Sequence, residues 1–263
     1  MLRKAAVKGL FYPSTVSEIS EFIESAREGS GTMGARAVLV PHAGYVYSGR
    51  TAVKTLSRVR IPDTVILIGP NHTSMGSPFS VYSEGAWEVP GGEVRVDDSA
   101  AGRLISSGVF THDTAAHRNE HSLEVIVPIL KQLNPDVAIL PVTVGRGDLR
   151  TVRELGRIMA EAFKDEDILV VISSDFNHFE NASITEEKDR MAIDAVLKMD
   201  TEELFKSVTD NSISMCGVIP AGIGIEYLKQ LGGSNPQLVE HTHSGEVSGD
   251  NDKVVGYAGI IFP

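Results

Sequence analysis

Short β-branched runs recur along the chain, each followed by a longer stretch of helical period, and this alternation limits the fold more than any other feature. The runs are "ARAVLVP" (35–41), "TVILIGP" (64–70), "VAILPVTVG" (137–145), "DILVVISS" (167–174) and "KVVGYAGIIF" (253–262). They show no polar alternation, the mark of strands buried on both faces. The segments between and around them predict helices over 16–28, 49–59, 97–107, 120–133, 148–164, 185–198 and 218–231. Strands alternating with helices define an α/β fold. Thr15 and Glu18 have capping-box spacing ahead of the first helix, and Asp148 and Asp200 are placed to cap later ones. "WEVPGGEVRV" (87–96) breaks the pattern, because "PGG" turns between two extended pieces and predicts a hairpin. With no linker-like stretch, residues 1–263 read as a single domain.

Three of the runs end in histidine. The first leads into His42, the second into Asn71 and His72, and the fourth into Asp175, Asn177 and His178. In open α/β sheets the carboxyl ends of the strands carry the ligand crevice, so one rim would receive three imidazoles and a carboxylate. Imidazole serves both as a metal ligand and as an acid or base near neutral pH. In "PHAGYVYSG", Gly44 permits close approach and Tyr45 offers a hydroxyl; a pocket wall and a plain strand-to-helix turn fit these residues equally. Asp175 either orients His178 or caps a turn. In "AAHRNEHSLEV" (115–125), His121 and Glu124 are three apart and share a helix face. They read as polar pocket contacts, with His117 in the same group, although Glu124 also suits the positive end of a helix. His112, His241 and His243 read as exposed loop or strand-end residues.

Composition narrows the function. A net charge of −11 and a pI near 5.2, with no cluster of Lys and Arg, exclude a nucleic-acid surface. The N-terminus lacks the apolar core of a secretion signal, and no 18 apolar residues follow one another, so neither export nor membrane insertion is expected. Cys216 is the only cysteine, which rules out an internal disulfide and fits a reducing compartment, the cytoplasm. A lone cysteine ordinarily behaves as a small core hydrophobe. In "NSISMCGVIPAG" (211–222), however, Gly217 allows close packing and Pro220 suits the first turn of a helix, whose N-terminus would stabilise the thiolate.

Six motifs, "VPHAGYVYSG", "IGPNH", "EHSLEV", "SSDFNHF", "MCGVIP" and "SGDNDKVVGYAGIIF", stand in an order that resembles the Memo family. The resemblance implies a single α/β domain with a central mixed sheet flanked by helices, similar to the class III non-haem-iron extradiol dioxygenases. It makes His42, His72 and Cys216 metal ligands, with the cysteine where those dioxygenases use a carboxylate, and makes His178, with Asp175 beside it, the acid/base group. Tyr45, Asn71, His121 and Glu124 are left to contact the ligand. Animal members have a histidine in a "CGRHP"-like stretch where this chain has Val218 and Ile219. Two histidines and a thiolate suit Fe(II), Cu or Zn and disfavour Mg or Ca; Fe(II) is the expectation. The implied activity is a metal-dependent redox reaction of dioxygenase type on a small molecule. The alternative is a non-catalytic module that uses the same pocket for a peptide, phosphate or small acid, and a zinc hydrolase ranks third.

Overall fold

The computed structural model describes residues 1–29 and 31–263. The strands are β1 (Leu2–Arg3), β2 (Ala37–Val40), β3 (Thr64–Pro70), β4 (Phe79–Val81), β5 (Ala86–Val89), β6 (Gly92–Arg95), β7 (Thr111–His112), β8 (Ala138–Val144), β9 (Ile168–Ser173), β10 (His178–Glu180), β11 (Gln237–His243) and β12 (Val254–Phe262). The helices are α1 (Val16–Ala26), α2 (Arg50–Leu56), α3 (Asp98–Ile105), α4 (Ala115–Arg118), α5 (Val127–Leu133), α6 (Leu149–Phe163), α7 (Ala182–Leu197), α8 (Thr201–Asp210), α9 (Val218–Gln230) and α10 (Gly245–Ser248). All five apolar runs form strands. Eight strands follow the order β10-β12-β2-β9-β3-β8-β4-β7, and β11 pairs with β12 to complete a nine-stranded mixed sheet. Its centre, β2, β9, β3 and β8, is parallel, so all four carboxyl ends reach one edge. β12 closes one flank and β4 the other, both antiparallel.

The parallel strands carry apolar side chains on both faces because both are covered. One face, with Ile66, Val170 and Leu140, packs on α3, α6, α7, α8 and α9. The other, with Val65, Leu169 and Ile139, packs on α1, α2, α5 and the β5–β6 hairpin through Trp87. Each fully buried Val, Leu or Ile contributes roughly 1.5–3 kcal/mol. Thr15 and Glu18 form the expected capping box, and Asp148 and Asp200 cap α6 and α8. Among the described residues no helix is long and apolar enough to cross a membrane.

Several expectations need correction. The helix expected over 120–133 begins only with a short turn at Glu124–Ile126 and α5, because Glu120 and Ser122 use their side chains in tertiary hydrogen bonds instead. A π-helical turn at Tyr45–Gly49 precedes α2. No helix was expected over Thr201–Asp210 and no strand over Gln237–His243. Hence His241 and His243 lie within β11, half-buried and buried, and the His241 ring pairs with the buried Asp189 at 2.9 Å. His112 is exposed, as read.

Candidate metal centre at the sheet edge

The parallel strands deliver their following residues to a common place. His42 follows β2, His72 follows β3 and Asp175 follows β9, while Cys216 arrives on the segment entering α9. One nitrogen of each imidazole, of His42 and His72, lies within 4.8 Å of the other and of the Cys216 sulfur. His42 Nε2 is 3.3 Å from Cys216 Sγ.

Two glycines permit this convergence. A Cβ on Gly217 would lie 2.4 Å from Ser174 Cβ, so only glycine lets the cysteine segment sit against the end of β9. A Cβ on Gly69 would lie 2.7 Å from Leu123 Cδ2, which explains glycine in "IGPNH": the turn carrying Glu120 and His121 packs on β3 there.

Hydrogen bonds fix which ring nitrogen faces the cluster. Ser173 Oγ donates to the Ser122 carbonyl at 2.6 Å, so towards His42 Nδ1, 2.7 Å away, it must accept. Nδ1 of His42 therefore carries the proton, and Nε2 presents a lone pair beside the thiol. His72 Nδ1 lies 2.8 Å from Glu120 Oε1 and donates to it, freeing its Nε2 in the same way. Glu120 is 1% exposed and also accepts from the His72 and Ser122 amides. Burial alone would raise its pKa; the His72 hydrogen bond, the Ser122 amide and the nearby His121 bring it down to about 2. Burial, with His72 and His121 close by, pushes His42 well below the usual histidine range and keeps it neutral.

Cys216 differs from expectation in its electrostatics. It lies two residues before α9, yet burial, aided by the Asp175 carboxylate, pushes the thiol up rather than stabilising the thiolate. What favours a ligating sulfur here is the Asp175 amide, which donates to Sγ at 3.3 Å. A bound cation would reverse the balance, since thiols ligate as thiolates and metal binding drives off the proton.

The acid/base candidate is oriented by a different group from the one expected. His178 Nδ1 lies 2.9 Å from the Ser214 carbonyl and donates to it, and its amide donates to Ser214 Oγ at 2.7 Å. The ring is thus held with Nε2 free as a base. Asp175 does not bond this ring: its Oδ1 accepts the His42 amide at 2.8 Å, and burial raises its pKa. His121 joins the cluster, its ring stacked 4.8 Å from His72 and edge-on to His42 at 5.5 Å.

Two expected ligand contacts lie elsewhere. Glu124 is 1% exposed and ion-paired with Arg3 at 2.7 Å, and it also accepts from Tyr12 and the Ala6 and Val7 amides. It clamps the N-terminal segment because a buried guanidinium needs a carboxylate more than a pocket does. Tyr45 is buried, donates to the Val125 carbonyl at 2.8 Å and packs on Tyr12 and Phe22. Asn71 lines the site, but its amide is committed to Thr73 and Met75 within its own loop. His117 is buried between Tyr82 and Trp87, outside the cluster. The supporting residues that sequence reasoning missed are Glu120, Ser173 and Ser214. Of these only Glu120 left a signal, directly beside His121.

The donor set fits a metal. Two lone-pair imidazole nitrogens and a sulfur converge, and each imidazole is backed by an outer hydrogen bond. A competing group of His72, Glu120 and His121 is equally close, but Glu120 already accepts from His72 Nδ1 and two amides. A cleft of about 510 Å3 opens onto His72 and Cys216.

Fold and site together define an α/β protein with an open cluster of imidazoles and a thiol at the carboxyl edge of a parallel sheet core. A family model described as Memo-like protein matches residues 3–261. A "MEMO1 family protein" of Aquifex aeolicus is 40% identical over 264 residues, covering 99% of both chains, and one of Methanosarcina barkeri is 37% identical over 268 residues with the same coverage. The chain belongs to the Memo-like family. A solved structure of an uncharacterized protein from Escherichia coli K12 has the same fold, with a TM-score of 0.56 at 11% identity over 84% of this chain and 98% of that one.

Proposed function

We propose that this chain holds a single transition metal on His42, His72 and Cys216 and acts as a metal-dependent redox enzyme of dioxygenase type on a small molecule. The observation that carries the reading is the set of outer hydrogen bonds: Ser173 and Glu120 each fix a protonated Nδ1, leaving both Nε2 lone pairs to meet the thiol. Such carboxylate- and hydroxyl-backed imidazoles characterise metal ligands. Three protein ligands leave coordination positions open, as reactive rather than structural centres do. The donors suit Fe(II), and also Cu or Zn, with Fe(II) favoured by the likeness of the motifs to non-haem-iron dioxygenases. The metal would supply redox chemistry and polarise a bound substrate.

The remaining chemistry falls to the chain. His178, held through Nδ1 by the Ser214 carbonyl, can take a substrate proton at Nε2 and return it. Ser214, which holds this ring, stands two residues before Cys216 in the chain. Asp175 positions His42 through the main chain. His121, stacked on His72, walls the site. A thiol ligand must stay reduced, which suits the cytoplasm.

Anaerobic reconstitution with iron or copper, followed by oxygen-uptake assays on catechols and other phenols, tests the proposal. Uptake that needs the metal and falls at least about 100-fold in His178→Ala supports it. Stoichiometric metal without uptake across the panel contradicts the enzyme reading and leaves the cleft a binding site.

A further inference from the structure

Four parallel strands end at this edge, and three of them supply His42, His72 and Asp175. The fourth, β8, ends at Val144 and passes into Gly145, Arg146 and Gly147. The backbone of that loop is fixed on both sides. The Gly145 amide donates to the Pro78 carbonyl at 2.7 Å, and Asp148 caps α6 by accepting from the Thr151 amide at 2.9 Å. The Arg146 side chain is not tied down. Arg146 is exposed and lines the cleft, and like Arg150 in α6 it makes no ion pair among the described residues; of the two only Arg146 reaches the cleft wall.

The cleft wall also includes His72 and Cys216, with apolar surface from Val144, Ile219 and Pro220, and it holds no acidic residue. In a chain with net charge −11, a wall whose only Lys or Arg is Arg146 is a local reversal of sign. Neither of the nearest carboxylates lines the cleft: Glu120 is taken up by the His72 ring and amide, and Asp175 accepts the His42 amide with its other oxygen 4.0 Å from His42 Nε2. A guanidinium offers two parallel N–H donors that match a carboxylate, and one cation matches a monoanion better than a dianionic phosphate.

We infer that Arg146 is a specificity-determining residue, and that the small molecule taken by this site carries a carboxylate at the end remote from the Cys216 cluster. The inference rests on the proposed metal site for the position of the reacting end. The apolar walls accommodate the body between, and a cleft of about 510 Å3 suits a molecule of that size.

The test compares 3,4-dihydroxybenzoate with 3,4-dihydroxybenzamide by calorimetry, on zinc-loaded and on metal-free protein. Wild type is expected to bind the acid about tenfold more tightly than the amide. Arg146→Ala should bring the ratio close to one with the amide's affinity unchanged, and Arg146→Lys should fall between. A preference that persists in Arg146→Ala, no preference in wild type, or no binding of either compound overturns the inference. Inorganic phosphate that displaces the acid more effectively than benzoate does would overturn the choice of carboxylate. Zinc content of the same samples separates the two claims. Wild type that takes up no zinc contradicts the metal reading, while the acid-to-amide ratio on metal-free protein still decides the role of Arg146.

Discussion

At the scale of single residues, two glutamates four positions apart have opposite duties. Glu120 backs His72, whereas Glu124 neutralises Arg3. Glu120→Gln is therefore expected to weaken metal binding by about 10- to 100-fold, read by competition with a chelator, because the imidazole loses its orienting acceptor. Glu124→Ala should leave that affinity unchanged and instead lower stability by about 3–5 kcal/mol in denaturant unfolding, since Arg3 remains buried without its partner. The pair also shows what sequence can and cannot give. Spacing puts His121 and Glu124 on one helix face, but no regular helix forms before Glu124, and the side chain is claimed by an arginine 121 residues away in the chain. Likewise the hydroxyls of Ser173 and the carbonyl of Ser214 orient imidazoles through tertiary contacts that leave no local pattern. The ligand candidates themselves were legible because His42 and His72 follow apolar strand runs and Cys216 stands just ahead of a helix start.

At the scale of elements, the cysteine segment depends on the fit of α9 against β9. Gly217→Ala places a methyl group 2.4 Å from Ser174 Cβ, and its amide bond to Ser174 Oγ at 3.0 Å would be lost. We expect a loss of about 1–3 kcal/mol in stability together with weaker metal binding, because the sulfur moves with the segment. Thermal unfolding with and without added zinc separates the two effects: the shift produced by zinc should shrink as well as the baseline falling. The five buried strands and most helices were legible from period and caps. α8 was not, although Asp200 marks its start, because ten residues between two longer helices give little periodic signal. β11 was missed because its residues are half-buried and polar, "QLVEHTH", and only pairing with β12 makes it a strand.

At the scale of the whole molecule, His117 couples the N-terminal clamp to pH. It is fully buried, neither ring nitrogen has a partner among the described residues, and burial with the nearby Arg3 lowers its pKa to about 3. Its folded value lies below the ordinary 6.5, so the unfolded chain binds the proton first as pH falls. Its contribution is complete above about pH 6.5 and is lost progressively towards about pH 3, with a slope of roughly 1 kcal/mol per pH unit. His117→Phe should flatten that part of the acid limb in unfolding measurements; an unchanged limb would show that other groups dominate it. The central claim concerns another buried histidine, His42, and its thiol partner, and cobalt substitution tests it most directly. Wild type is expected to bind about one Co(II) per chain with a sulfur-to-metal charge-transfer band, and Cys216→Ser to lose the band, with His42→Ala binding far less metal. Cobalt bound by Cys216→Ser with the same stoichiometry and the same spectrum would contradict the account.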